Sequence, residues 1–381
     1  MITIVKPIEN EKSPRHHSPA LDFIRVFALI SISLNHCLNR VYPMGGDMYA
    51  GFAGIGTASA VFAAVVNVFS RIGVPLFLMI TGAIFLNRAF PDTDSIKKFY
   101  KENFLSLFIT TVIWYVLFFF YLVLTNLPAH HSLSDLPVYI KNLVRTVLLI
   151  NPATVNSMWY MPMILAIYLI LPFVARAIRG ISVKVAIIPI AVVVLSSMVV
   201  PDVNDILRNF GIERQYSFAL QAANMFSMYL VYVLLGYYLT HMKLRWMKTP
   251  VLLGLTIALF LLCVAFQFWS FHNPSQYNFS YHAVGLLGIS VGTFELLFRF
   301  TNREFKCQPV IAYLSKISFA VYFVHIWVLL VVRFLLKRTP LWSVKPLCVL
   351  LLEVAAIGLS TLIIWVFAKI PFFKKYVFRI K

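Results

Sequence analysis

Charged side chains are scarce in this chain, and acidic ones are the scarcest. Only 12% of the 381 residues are charged, with 14 Asp and Glu against 33 Lys and Arg. At the same time 60% of the residues are hydrophobic, and the mean hydropathy is +0.83. A soluble domain of this length carries far more polar surface. The composition therefore excludes a soluble protein and predicts a membrane protein.

Cysteine is also rare, and the motifs of several enzyme classes are missing. The four cysteines, Cys37, Cys263, Cys307 and Cys348, have no CxxC spacing, so they indicate neither a zinc site nor a disulfide framework. The chain has no glycine-rich phosphate loop, no GxSxG elbow and no internal repeat. We expect no metal, and any chemistry has to come from polar residues within the apolar segments.

Long apolar runs dominate what is present. A run of about 18 apolar residues is long enough to cross a bilayer as a helix. The predicted fold is an all-α integral membrane protein with about ten transmembrane helices. The predicted spans are 20–38, 60–86, 103–125, 157–175, 184–200, 218–240, 250–270, 280–299, 310–333 and 346–369. Between the third and fourth, 136–150 could lie as an interfacial amphipathic helix.

Basic residues are distributed unevenly between the connecting segments. With the N-terminus inside, the inner segments hold 21 Lys and Arg and the outer segments hold nine. Cytoplasmic loops collect Lys and Arg, so both termini of this multi-pass protein are predicted to be cytoplasmic. The same scatter explains the net charge of +19 without a nucleic-acid partner. The predicted domains are a cytoplasmic tail, 1–19, a transmembrane domain, 20–370, and a second cytoplasmic tail, 371–381.

The first predicted span combines apolar length with ionisable side chains. Arg25 and His36 are eleven positions apart, which at ~100° per residue brings them to within about 20° of the same helix face. Asp22 can form an i,i+3 ion pair with Arg25. The stripe runs from charges near the cytoplasm to an imidazole in the outer half, and ionisable groups in a bilayer are usually functional. The alternative is a snorkelling arginine and a histidine hydrogen-bonded in the bundle core.

Further arginines and a tryptophan could line a path across the membrane. Arg71 is predicted to lie mid-membrane, where it could line a channel or belong to a structural ion pair. Arg176 and Arg179 end the fourth span one turn apart, where they could bind phosphate or serve only as positive-inside charge. Trp159, at the outer end of that span, could stack on a sugar ring or anchor the helix at the interface.

The ninth predicted span carries a second polar face. Ser318, Tyr322 and His325 recur at i, i+4 and i+7, on one side of a helix. His325 could orient an acceptor or His36, or it could be a satisfied core histidine. Two acids, Glu295 and Glu353, are also predicted to be buried. Either could form an ion pair with Arg71 or Lys316, and the sequence alone does not pair them.

Four stretches together resemble the acyltransferase family 3 membrane O-acyltransferases. Segment 21–38 reads LDFIRVFALISISLNHCL and resembles the opening helix of that family, an arginine, ten residues and a histidine. The other three are SRIGVPLFLMITGAIFL at 70–86, with Thr81 in place of the usual serine, MWYMPMILAIYLILPFV at 158–174, and LSKISFAVYFVHIWVL at 314–329. They occur in the family's order. In particular, the chain resembles the type that O-acetylates enterobacterial common antigen and other surface polysaccharides.

The resemblance implies transfer of an acetyl or other small acyl group from cytoplasmic acyl-CoA, with acetyl-CoA the expected donor. The acceptor is then a hydroxyl of a surface polysaccharide or of its lipid-linked precursor, and the implied location is a bacterial cytoplasmic (inner) membrane. The implied catalytic residue is His36, as general base or as acyl carrier. The implied donor-binding residues are Arg25, Asp22, Arg71, Arg176 and Arg179, and the implied acceptor-binding residues are Trp159, Tyr322 and His325.

Two other classes of function fit part of the pattern. A multi-span transporter or a flippase of lipid-linked glycan explains the spans and the buried charges, but not a polar stripe that ends in a histidine. A pH sensor would use His36 and His325 for titration without catalysis. Release of coenzyme A from acetyl-CoA in the presence of acceptor separates an enzyme from both. The expected partners are acyl-CoA, the glycan and membrane lipids, and a homo-oligomer is left open.

Overall fold

The computed structural model describes residues 18–45, 47–130, 136–149, 158–212, 215–217, 228–242, 247–273, 279–301 and 307–380. These residues form helices and connecting segments, and none of them belongs to a strand. A helix satisfies its backbone N–H and C=O groups within one segment, which a bilayer interior requires. The all-α fold predicted from the apolar runs is confirmed.

The described residues form fifteen α-helices joined by turns and shorter helical pieces. They are α1 Pro19–Val41, α2 Met48–Phe52, α3 Thr57–Arg71, α4 Gly73–Phe85, α5 Thr93–Phe99, α6 Ser106–His130, α7 Leu136–Val147, α8 Tyr160–Ile178, α9 Val183–Val194, α10 Val200–Asn209, α11 Met228–Met242, α12 Thr249–His272, α13 Val284–Phe300, α14 Gln308–Leu336 and α15 Lys345–Phe367. Three π-helical segments are Tyr100–Leu105, Leu195–Val199 and Phe373–Val377, and a 3₁₀ turn is Pro340–Ser343.

Eight helical segments of the described chain are long and apolar enough to cross a membrane. The predicted spans 218–240 and 280–299 correspond to α11 and α13, which have 15 and 17 residues. Residues 218–227 lie outside the described part of the chain. The protein is therefore a multi-pass membrane protein, while the count of ten spans and the cytoplasmic location of the termini stay predictions.

Helix α1 is the central helix, packed against α3, α4, α13, α14 and α15. The Ser31 hydroxyl donates to the backbone oxygens of Phe69 and Ser70, at 2.9 and 3.1 Å. These hydrogen bonds hold the break between α3 and α4 against α1. Gly73 begins α4 there, and a Cβ at that position would lie 2.6 Å from the Ala28 carbonyl oxygen. The absent side chain thus lets α4 approach α1 closely enough to enclose a site between them.

The segment after α15 folds back onto the bundle. Val377 and Phe378 are each 3% exposed, and the Trp114 indole N–H donates to the Val377 oxygen at 3.0 Å. The Thr110 hydroxyl donates to the Tyr376 oxygen at 2.9 Å. Residues predicted as part of a cytoplasmic tail are therefore packed against α6 as far as Ile380. Most of the other predicted tail, 1–17, lies outside the described residues.

Candidate functional site

A cavity lies beside His36, near the predicted outer end of α1. It is narrow, and the empty space counted there, about 320 Å³, includes the part that is open to solvent. Its walls come from α1, α4, α14, the start of α8 and the connection between α12 and α13. The lining residues are Ile32, Asn35, His36, Val74, Trp159, Tyr160, Tyr281 and Tyr322. The cavity thus combines one ionisable ring with an aromatic wall.

A second histidine lies directly behind the first. The ring centroids of His36 and His325 are 5.2 Å apart, and the ring planes are tilted by 48°. The His325 Nδ1 atom is 2.9 Å from the Val321 carbonyl oxygen. A carbonyl can only accept, so Nδ1 carries the proton and Nε2 has a lone pair. That Nε2 is buried and has no hydrogen-bond partner among the described residues, which leaves it available to an N–H of His36.

The wall opposite His36 is built from tyrosine and tryptophan rings. The Trp159 centroid is 5.2 Å from that of Tyr281 and 5.9 Å from that of Tyr229. The Tyr160 centroid is 6.0 Å from that of Tyr322. Aromatic faces with hydroxyl groups at their edges bind the apolar faces and the hydroxyls of a sugar together. Trp159 therefore lies in the cavity wall rather than as a lone anchor at the membrane interface.

A buried ionic cluster lies at the other end of α1. The Arg25 Nη1 atom is 3.2 Å from the Asp22 Oδ1 atom, so the ion pair expected within this helix is present. The Ser315 hydroxyl donates to the same Asp22 oxygen at 2.6 Å and accepts from Arg25 Nη1 at 2.7 Å. Asp22 and Ser315 thereby fix the guanidinium against α14.

Arg71 lies with the cavity rather than with the Arg25 cluster. Its Cζ atom is 5.3 Å from the centroid of the Tyr281 ring, and it is in electrostatic range of His36. Its Nε atom is buried without a hydrogen-bond partner among the described residues. Arg71 therefore lies where the alternative of a residue lining the path across the membrane places it, and its part in donor binding stays a prediction.

A pairing of Glu295 or Glu353 with Arg71 or Lys316, which the sequence left open, does not occur among the described residues. Glu295 accepts a hydrogen bond from Arg299 at 2.8 Å on its own helix, and Glu353 accepts one from the Cys37 thiol at 3.3 Å. Lys316 is exposed. An exposed lysine needs no buried partner, and an acid one turn from an arginine is satisfied locally.

The two arginines at the end of α8 do not join Arg25. The Arg176 Nε atom donates to the Phe90 carbonyl oxygen. Arg179 is exposed beyond the end of the helix. Neither is hydrogen-bonded to Asp22, Arg25 or Ser315 in the described chain, so their positions fit the alternative of positive charge on an inner loop.

Sequence reasoning missed several residues of these two sites. Ser315 lies in the late tyrosine-and-histidine stretch, but its hydroxyl gave no sign that it bridges to α1. Tyr160 directly follows Trp159, so the prediction for Trp159 could have been extended to it. Tyr281 and Tyr229 carried no signal, because the chain has 18 tyrosines and neither lies in a recognised motif.

The fold and these sites define a class, that of multi-pass helical membrane proteins with a buried histidine centre. The model of one family, the Acyl_transf_3 acyltransferase domain, matches residues 18–369. The chain belongs to this family and is a membrane acyltransferase. The family resemblance is thereby confirmed, and the polysaccharide O-acetyltransferase type stays a proposal. No curated protein and no solved structure matches the chain.

Proposed function

We propose that this protein transfers an acetyl or other small acyl group from acyl-CoA on the cytoplasmic side to a hydroxyl of a surface polysaccharide or its lipid-linked precursor. The observation that carries the proposal is the arrangement along α1. Arg25 is fixed at one end, and His36 lines an aromatic cavity about 16 Å further along. A permanent cation suits the donor's phosphates, and a neutral imidazole suits the removal of a hydroxyl proton.

The two histidines divide the work of proton transfer. When one His36 nitrogen donates to His325 Nε2, its other nitrogen keeps a lone pair toward the cavity. That nitrogen takes the proton of the acceptor hydroxyl while the oxygen bonds to the thioester carbonyl carbon. The C–S bond then breaks, and the coenzyme thiolate takes the proton from His36. The products are the ester, free coenzyme A and neutral His36.

A covalent route uses the same nitrogen differently. Its lone pair attacks the thioester carbon, the coenzyme leaves as its thiolate, and the acyl group is carried on His36. The acceptor oxygen then takes the acyl group and gives up its proton to the thiolate. Trapping of labelled acyl-enzyme in the absence of acceptor separates this route from direct transfer.

Arg71 and the aromatic wall supply charge and orientation. The carbonyl oxygen becomes negative as the hydroxyl attacks, and the partly buried guanidinium of Arg71, in range of His36, stabilises that charge. Trp159 and Tyr322 would hold the sugar ring by its faces, in agreement with the acceptor role expected for them. His325 is a positioning residue, since it is 1% exposed, does not line the cavity and lies beside His36.

The test is complementation of a deletion strain, with mass spectrometry of its surface glycans. We expect the wild type to restore an acyl mass and His36→Gln to lower the rate of its appearance by about 10²–10⁴-fold, because glutamine cannot take the proton. His325→Phe, which removes the Nε2 acceptor, should lower the rate less.

The matched control is His272→Gln, which changes an exposed histidine bonded to the Phe268 oxygen of its own helix. Acylation at the wild-type rate in the His36→Gln strain would refute both catalytic routes. A glycan that lacks any acyl mass in the wild type, but is exported less in the deletion strain, would favour the flippase.

A further inference from the structure

Arg379 occupies an unusual place in the segment that follows α15. Its backbone φ is 53°, in the left-handed region that residues other than glycine rarely adopt. Val377 and Phe378 before it are buried in the main core, and Ile380 after it is partly buried against the same core, so packing on both sides holds the conformation. Strained backbone that is fixed in this way is concentrated at functional sites. Here it directs an arginine into the bundle instead of toward solvent.

The Arg379 guanidinium is anchored by neutral oxygens only. Its Nε atom donates to the Ser106 hydroxyl at 3.0 Å and its Nη2 atom to the Asn103 carbonyl oxygen at 3.1 Å. Its Cζ atom is 5.7 Å from the centroid of the Phe319 ring. No carboxylate of the described residues forms an ion pair with it. The guanidinium is therefore held at a fixed position by neutral groups.

This charge lies next to that of Arg25. Arg25 donates to Ser315 on α14, and Arg379 lies over Phe319 on the same helix. Ser315 and Phe319 are i and i+4, so the two contacts are on one face and about 6 Å apart along the axis. Two arginines from opposite ends of the chain thus meet adjacent turns of α14.

A third arginine, Arg88, lies near the same tyrosine and packs on an aromatic ring beside it. The Arg88 Cζ atom is 4.5 Å from the centroid of the Phe85 ring, and that ring is 5.2 Å from Tyr168. Tyr168 on α8 is in electrostatic range of Arg25, Arg88 and Arg379 alike. We call these four residues the Tyr168 cluster.

Three like charges around one ring repel one another, and Asp22 is the one carboxylate hydrogen-bonded to Arg25 in the described chain. Clustered arginines with few acids are the usual recognition site for phosphate groups. We propose that the Tyr168 cluster binds the nucleotide phosphates of acyl-CoA, and that the segment after α15 completes this site by supplying Arg379. The inference rests on the proposed function, since acyl-CoA is its donor.

The positions of the arginines match the shape of acyl-CoA, with the phosphate-binding groups near the surface and a helix leading inward to His36. Arg88 is exposed at the inner rim, while Arg25 has a quarter of its side chain exposed, 25%, and lies on the helix that leads to His36. Phosphates held at the cluster leave the pantetheine arm directed along α1 to the cavity. The aromatic rings of Phe85 and Tyr168 offer faces on which the adenine can stack.

The test compares three acyl donors, acetyl-CoA, its 3′-dephospho form and S-acetylpantetheine, which has no nucleotide. Affinities are measured by titration calorimetry on purified full-length protein in discs of uncharged lipid. We expect Arg379→Asn to weaken acetyl-CoA binding at least about tenfold, the effect of one charged hydrogen bond, and to leave S-acetylpantetheine unchanged. Asparagine tolerates the left-handed conformation, so the variant removes the charge with little change of backbone. Arg379→Lys should keep part of the affinity.

The matched control is Lys375→Gln, which removes an exposed cation from the same segment and should change none of the three affinities. Arg88→Gln changes an exposed side chain, so it carries the test if Arg379→Asn fails to fold. A wild type that binds acetyl-CoA, with variants that bind it equally well, overturns this inference alone. A wild type that binds none of the donors contradicts the proposed function as well. If the variants bind acetyl-CoA like the wild type but are no longer stabilised against unfolding by added phosphatidylglycerol, the cluster is a lipid headgroup site. That result also overturns the inference.

Discussion

At the scale of single residues, hydrogen-bond partners fix the orientation of the polar side chains at both sites. His325 illustrates this, because the Val321 carbonyl fixes the proton on Nδ1 and leaves Nε2 as an acceptor beside His36. Arg25 is fixed in the same way by Asp22 and Ser315. Each functional group thus has a partner that sets its orientation and leaves one atom directed at the ligand.

Ser315 gives the sharpest prediction at this scale. Its hydroxyl bridges Asp22 and Arg25, so Ser315→Ala should leave the guanidinium free to move and weaken acetyl-CoA binding. A hydrogen bond to a charged group contributes about 1.5–3 kcal/mol, so we expect an increase in Kd of about tenfold or more. Titration calorimetry on the purified protein measures it.

Ser318→Ala is the control for that experiment. The Ser318 hydroxyl lies one turn further along α14 and donates only to the Ser315 carbonyl oxygen of its own helix, at 2.8 Å. Its loss should leave the Kd unchanged. Equal affinities for the wild type and for both variants would show that the bridge does not hold Arg25 for the donor.

The same residues show how far sequence reasoning reaches. Asp22, Arg25 and His36 could be placed on one face because helical periodicity is a local property of the chain. The hydrogen bond of Arg25 to Ser315 could not be predicted, because it joins residues 290 positions apart. The approach of Arg25 and Arg379 to the same tyrosine, Tyr168, could not be predicted for the same reason. The contact of Arg71 with Tyr281 could not be predicted either, since the direction of that side chain depends on a helix break that the apolar pattern does not mark.

At the scale of elements, glycines decide how closely the helices approach. Helices α4 and α11 cross where Gly82 faces Val233 and Gly236 faces Met79. A Cβ on either glycine would overlap the facing backbone carbonyl oxygen. Within a bilayer, helices associate through such close packing rather than through a hydrophobic driving force. The crossing holds α4, and with it one wall of the cavity, against the rest of the bundle.

We expect Gly82→Ala and Gly236→Ala to lower the unfolding temperature in detergent. A backbone carbonyl cannot move aside as a side-chain end can, and an overpacked core loses about 1–3 kcal/mol. Gly254→Ala on α12 is the control, because nothing lies within 4 Å of the Cβ it would add. That variant should be neutral or slightly more stable, since alanine favours a helix by about 1 kcal/mol. Unfolding temperatures that are equal in all three variants would contradict the close crossing.

At the same scale, two acids on α10 hold the connection that contains Tyr281. The His282 Nε2 atom is 2.8 Å from an Asp205 carboxylate oxygen, and the Val284 backbone N–H donates to Asp202 at 3.0 Å. Both acids lie on α10. The helix thus ties down a short connection whose tyrosine forms part of the cavity wall and contacts Arg71. Long apolar runs predicted α12 and α13 on either side, but no pattern in the sequence marked this link between them.

At the scale of the whole molecule, the arginines that we assign to the substrates lie in two places. One is the Tyr168 cluster at the predicted inner end of the bundle, and the other is Arg71 beside the cavity. His36 lies between the phosphates expected at the first and the sugar expected at the aromatic wall. The proposed transfer runs along α1 from Arg25 to His36. It requires the Arg25 end of α1 to face the cytoplasm, where acyl-CoA is available.

The orientation can be tested at two exposed serines of the described chain. Ser182 lies between α8 and α9, on the predicted cytoplasmic side, and Ser343 lies between α14 and α15, on the predicted outer side. Both hydroxyls are at the surface, so cysteine is tolerated at either position once the four native cysteines are replaced. We expect an impermeant maleimide to label Ser343→Cys on intact spheroplasts and Ser182→Cys only after the membrane is opened, because Lys and Arg are concentrated on the predicted inner side. The reverse pattern, with Ser182→Cys labelled first, would place the Tyr168 cluster outside the cell. Cytoplasmic acyl-CoA could not then reach Arg25, and the proposed direction of transfer along α1 would be wrong.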